Sequence, residues 1–439
     1  MKHRSQLATA LLGATLVTAA AAWSPARADW LQWRGPNHNG SADAGKLPAT
    51  ISAENQLWRA PLPGRAGSTP IVVGGNVFVT TPNEARNLAV ICLNRETGKP
   101  RWDFDTGVPD KEKSRNNLCA PTPVSDGQNV YALFGSGDLV ALHVSGREVW
   151  RRALHKDYGR FAIMWIYGSS PLLYEGKLYV QVFQRDEMPN DYPLFDGKPS
   201  RESYLLCLDP KTGETLWRHV RKTDSTKESH ESYATPVPFA GQNGPEILVV
   251  GGDHVSGHNP RDGSELWRAR LYDKRDDWYR IVTSPVTYGG LIYSSGPKGQ
   301  PVVAFRDGGT GDVTTTHKAW EFRANPTDWA TPLVMDDKLF VLDGSKGVLS
   351  RLDPQSGTVK WSGKLGTDTL WSSPHGGDGK IYLRSEGGTV LVCSAGDEFK
   401  VLSRYQLPSD EAPCFGSVAL SHGQVFVRTA KALYSFGVK

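Results

Sequence analysis

The chain has 439 residues, 39% hydrophobic and 22% charged, with a formal net charge of +4, a length that ordinarily implies two or three domains. So small a charge does not point to nucleic acid, and beyond the N-terminus no stretch is long and apolar enough to span a bilayer as a helix. The 46 glycines and 29 prolines favour many short strands joined by turns. At the N-terminus, Lys2 and Arg4 precede an apolar run from Leu11 to Ala22, and Ala26-Arg27-Ala28 reads as a cleavage site before Asp29. Residues 1–28 are therefore expected to be a signal peptide, which places the mature chain in the periplasm or outside the cell, soluble. No cysteine stands at the cut to carry a lipid. Removing Lys2, Arg4 and Arg27 lowers the net charge to about +1.

Residues 29–55 form an N-terminal extension holding Trp30 and Trp33. Gln56 to Ala60 follows as a lone strand carrying Trp58. From there two signals alternate. One is a Ser or Thr before Pro, at Thr69, Thr122, Ser170, Thr235, Ser284, Thr331 and Ser373; the other is a tryptophan, at Trp102, Trp150, Trp217, Trp267, Trp320 and Trp361. A period of about 40–50 residues marks a propeller or solenoid, and a ring of such units absorbs the whole length into one domain. The unit from Ala330 to Trp361 shows the pattern. Thr331 to Met335, Lys338 to Leu342, Val348 to Leu352 and Thr358 to Trp361 read as four strands separated by turns.

An eighth unit opens at Ser417, with Val418 in place of Pro, and lacks a fourth strand. The spare strand at residues 56–60 is expected to complete it and close the ring. The predicted fold is all-β, an eight-bladed propeller of four-stranded antiparallel blades over residues 56–439. The seven periodic tryptophans, Trp58 included, are expected to pack between blades. In the seventh unit Tyr405 takes their place. Cys92, Cys207 and Cys393 share one repeat position and are expected in separate cores; Cys119 and Cys414 are expected as free thiols.

The repeat T-P-V-x-x-x-G-x-V-Y followed by A-L-D-x-x-T-G-x-x-x-W resembles the pyrroloquinoline-quinone-like propeller repeat. With the opening DWLQWRGPNHNG it is similar to exported bacterial proteins named after the B lipoprotein of the outer-membrane assembly machinery. The resemblance implies the fold over essentially the whole mature chain and leaves function open. It brings pyrroloquinoline quinone with Ca²⁺ into view as a cofactor. However, the adjacent cysteine pair of the quinone-dependent dehydrogenases is absent here, as is the lipidated cysteine of the assembly protein.

Strand parity puts the connections between blades, and the turn between second and third strands, on one face. These segments are long, running for example through 106–120, 156–168, 222–233, 273–282 and the 184–203 insertion. They carry Trp165, Tyr167, Trp278, Trp329 and Trp371, with Arg115, Asn116, Asn117, His230, Glu231, His254, Arg280, Lys298, Asp328 and Lys346 as polar partners. Aromatics near a channel mouth serve either as a stacking surface for a ligand or as a packed plug. His230, Glu231 and His254 could meet as metal ligands or as an acid–base group, but no spacing motif supports either, and no metal is expected. Recognised catalytic motifs are absent. The leading expectation is a monomeric binding or scaffold protein that takes an unidentified protein, peptide or small ligand at the mouth. The alternatives are a quinone-dependent oxidoreductase of alcohols or sugars and a carbohydrate-binding or carbohydrate-active protein.

Overall fold

The computed structural model describes residues 28–186 and 202–438. Residues 1–27 of the expected signal peptide 1–28, and most of the insertion in blade three, lie outside the described residues. Eight antiparallel sheets form the blades of one ring. Blade one is Ile71–Val73, Asn76–Pro82, Asn87–Asn94 and Pro100–Pro109. Blade eight consists of Ala419–Ser421, Gln424–Arg428 and Ala432–Gly437, completed on its outside by Gln56–Pro61. That last strand pairs antiparallel with Ala432–Gly437 and closes the ring as expected. Among the described residues no helix is long and apolar enough to cross a membrane.

In blade six the first strand begins at Leu333, two residues later than predicted. Pro332 has no N–H for a ladder, and Thr331 donates its N–H to Ser373 Oγ instead. This bond repeats around the channel. The N–H of each opening Ser or Thr donates to the hydroxyl of the next blade's opening residue at 2.8–3.1 Å, from Thr69 round to Ser417. The motif thus has a physical cause. The hydroxyl ties one inner strand to its neighbour, and proline ends the need for a further donor. The belt stays open between blades eight and one, where Thr69 Oγ1 is buried without a partner among the described residues.

The periodic tryptophans dock on the following blade. The indole N–H groups of Trp58, Trp102, Trp150, Trp217, Trp320 and Trp361 donate to the carbonyls of Arg95, Val144, Pro210, Pro260, Pro354 and Gly396 at 2.8–3.2 Å. The rings of Trp58, Trp102, Trp150, Trp217 and Trp320 lie over the glycine turn before that blade's outer strand, while Trp361 packs on Phe399. A Cβ at Gly98 would come within 2.6 Å of Trp58, and one at Gly357 within 2.6 Å of Trp320, while both backbones hold positive φ. Trp267 departs from the pattern. Its indole donates to Glu246 Oε2 of its own blade at 2.7 Å. Blade five inserts residues between its third and fourth strands, and Gly311–Asp312 pairs parallel with Trp267 and Arg268, so blade four gains a fifth strand.

The extension crosses the short-turn end of the channel. Trp30 bridges to Val72 of blade one and Ser41 to Gly376 of blade seven. Between them, Leu31 O accepts from Ser125 N of blade two and Asn39 O accepts from Val334 N of blade six. The buried Arg34 guanidinium donates to Pro332 O and Pro374 O, immediately before the inner strands of blades six and seven.

Candidate functional site

At the opposite end, a cavity of about 310 Å³ opens on the long-loop face. Each of the seven connections between blade one and blade eight contributes to it. A short hairpin, Glu112–Lys113 paired with Asn116–Asn117, turns through Ser114 at positive φ. It carries Lys113, Arg115 and Asn116 into the lining. Trp165, Tyr233, Arg280 with Val282, Trp329, Trp371 and Phe415 follow from the later connections. Below lies a second cavity of about 190 Å³, walled by hydroxyls of the Ser/Thr belt and reaching Trp33 of the extension. The channel is therefore open at the mouth and closed from beneath. Trp33 had shown no function in the sequence; the closure depends on where the extension crosses, which no local pattern encodes.

The aromatics are arranged around cations. Trp329 and Trp371 stack with centroids 4.2 Å apart and planes at 22°. The Arg115 guanidinium lies 5.0 Å from the Trp371 centroid. A ring stacked at 4.2 Å leaves no room for a guanidinium on the same side, so both faces of Trp371 are covered. Glu386, on the second turn of blade seven, accepts from Trp371 Nε1 at 2.9 Å and from Arg115 Nε at 3.3 Å. The same set recurs elsewhere on the rim. Glu228 accepts from Trp165 Nε1 at 3.2 Å and faces Arg280 Nε at 3.5 Å. Lys113 Nζ lies 5.8 Å from the Trp165 ring centroid. Glu228 and Glu386 were not singled out in the sequence, because an isolated acid in a loop looks like any solvated charge.

Of the predicted site residues, Arg115, Asn116, Trp165, Arg280, Trp329 and Trp371 meet at this cavity. The rest do not reach it. Tyr167 is buried between blades two and three, donating to Gln181 O at 2.7 Å. Asn117 is buried and donates to Arg65 O at 2.7 Å. Trp278 is 58% exposed, with Lys227 Nζ 4.5 Å from its ring centroid. The Lys298 N–H donates to Asp328 Oδ1 at 2.8 Å, and the Lys298 ammonium meets Tyr279. Lys346 pairs with Asp343 at 3.0 Å.

The suggested His230, Glu231 and His254 trio is taken apart by its own contacts. His230 lies between Ser225 Oγ at 3.1 Å and Asp186 Oδ2 at 2.9 Å. Glu231 is buried against Arg185, Met164 N and Tyr233 OH. His254 is buried beside Gly252 O, and burial lowers its pKa to about 4. Among the described residues no three His, Cys, Asp or Glu side chains could hold a metal ion. Cys119 and Cys414 are buried free thiols, as are the other three cysteines.

The family model described as outer membrane protein assembly factor BamB matches residues 43–185, 165–320 and 311–432. The chain is 25% identical over 265 residues to an outer membrane protein assembly factor BamB from Burkholderia pseudomallei, covering 58% of this chain and 57% of that protein. It thus spans rather more than half the length of that relative. Among solved structures it is similar to BamB from Moraxella catarrhalis, with a TM-score of 0.59 at 13% identity over 90% of this chain and 100% of that one. It is also similar to the quinohemoprotein alcohol dehydrogenase from Comamonas testosteroni, with a TM-score of 0.67 at 12% identity over 94% and 81%. Likeness at such identity concerns the fold alone.

Proposed function

The chain belongs to the PQQ-like propeller family described as outer membrane protein assembly factor BamB, and on that premise we propose an exported, periplasmic binding or scaffold protein that works through the mouth on its long-loop face. One observation carries the reading. Seven successive connections converge on a single open cavity, whereas the other end of the channel is crossed by the extension. Long loops on a rigid ring, with aromatic and cationic groups at their centre, suit recognition.

The quinone-dependent alternative draws on the likeness to dehydrogenase folds, and the lining fits it poorly. Ca²⁺ takes six to eight oxygens, with carboxylates prominent among them. Among the described residues no carboxylate lines the cavity. Asn116 spends its amide on the carbonyls of Trp165 and Ile166, and its Oδ1 accepts from Asn117 N. Trp371, stacked on Trp329 and carrying the Arg115 guanidinium, offers no face to a planar ring system. Titrating the mature protein with pyrroloquinoline quinone and Ca²⁺, while following tryptophan fluorescence and dye reduction with alcohols and sugars, is expected to give no turnover. Saturable binding with turnover would overturn the binding-protein reading.

A further inference from the structure

We infer that the mouth is a receptor for a small aliphatic dicarboxylate, held between two Trp–Glu–Arg units. The inference rests on the mouth being the recognition site and specifies what it takes. The units are Trp371–Glu386–Arg115 and Trp165–Glu228–Arg280. In both, one carboxylate accepts an indole N–H and faces an arginine Nε: Glu386 accepts from Arg115 Nε at 3.3 Å, whereas Arg280 Nε lies in ion-pair contact with Glu228 at 3.5 Å, buried without a hydrogen bond among the described residues. The outer Nη edge of each guanidinium has no hydrogen bond among the described residues. Both arginines line the same cavity. Arg115 arrives on the connection from blade one to two and Arg280 on that from four to five, three steps around an eight-membered ring, so they approach from different sides.

A planar fork with a free Nη edge matches a carboxylate. Two forks on different sides match two carboxylates better than one compact anion. The supporting acids, Glu228 and Glu386, sit behind the arginines and do not line the cavity, so the surface met by a ligand is cationic: Lys113, Arg115 and Arg280. The space between is apolar, bounded by Val282, Phe415 and the paired indoles Trp329 and Trp371. Trp371 is already stacked on Trp329 and carries Arg115, and a short aliphatic chain suits the apolar walls that remain. The indoles thus act as shelves for cations and as walls for the chain.

Calorimetric titration of the mature protein tests this with the dicarboxylates from succinate to pimelate, and with butyrate, inorganic phosphate and pyrroloquinoline quinone as comparators. The expected result is saturable binding of at least one dicarboxylate, with butyrate and phosphate at least about ten-fold weaker, the loss expected for one missing charge-assisted pair. Arg115→Gln and Arg280→Gln should each cost a similar factor while circular dichroism and melting stay unchanged. Glu386→Gln, which frees the arginine it positions, should weaken the dicarboxylate, leave butyrate unaffected and shift the tryptophan emission. Equal binding of butyrate, or failure of every dicarboxylate while the quinone binds, overturns the dicarboxylate inference and leaves the mouth as the recognition site. Dicarboxylate binding that survives the double arginine variant places that ligand elsewhere and overturns the inference.

Discussion

A chain shortened to begin at Leu62 is expected to fail to fold as a soluble monomer. The deletion removes the outer strand of blade eight and exposes Ala432–Gly437, buried along its whole length, as that blade's outer edge. Trp30, Ala42, Ala44, Leu47, Ile51, Trp58 and Ala60 also go, all of them members of the core cluster that joins blades seven, eight and one. Burying one large apolar side chain is worth about 1.5–3 kcal/mol, against a total stability of about 5–15 kcal/mol for a domain. Two tryptophans and two long aliphatics from one cluster consume most of that margin. Size-exclusion chromatography and a circular dichroism melt should show aggregate and no cooperative transition. A synthetic peptide of residues 29–61 added during refolding should restore some monomer. A monomeric, cooperatively melting truncation would mean that the ring closes without its N-terminal strand.

The second large effect is loss of stability in mild acid. Burial is the main cause that lowers His254 to about 4 and His258 to about 3, with Arg221 adding to both. Burial, with Arg34 beside it, also holds His375 well below the ordinary value. In the unfolded chain each titrates near 6.5. A depressed pKa gives stability that is complete above 6.5 and is lost as pH falls toward the folded values, because the unfolded state takes up the proton first. Asp110, raised by burial to about 6, and Glu231, raised by burial to about 7, act in the opposite sense, gaining stability as pH falls. Each pKa unit is worth about 1.4 kcal/mol, and the histidine shifts are larger in sum. The melting temperature should therefore fall between pH 6.5 and 4.5, with a shallower slope in His258→Gln. A flat or rising profile would contradict the buried, neutral state of these rings.

Much of the ring was legible in the chain. The Ser/Thr-Pro and tryptophan beats located eight blades and the strand that closes them, because each repeat must satisfy the same packing against the next. Less legible was anything that breaks the repeat. The fifth strand of blade four comes from an insertion in blade five, so Trp267 turns to Glu246 and not to a neighbouring carbonyl. In the loops, residue type could place side chains on the correct face but not decide their direction. Tyr167 and Asn117 share segments with Trp165 and Asn116, yet point into the packing between blades. The roles of Glu228 and Glu386 emerge only when connections distant in sequence meet over the channel: Glu386 and Arg115 are separated by 271 positions.

The most direct test of the long-loop mouth as the working face is site-specific photocrosslinking in intact cells that express the protein. One crosslinker replaces Lys346, exposed on the second turn of blade six, and another replaces Lys99, exposed on the short-turn face. Discrete adducts from position 346 that are absent from position 99 are the predicted result for a protein partner. Adducts from position 99 with none from position 346 would contradict the account.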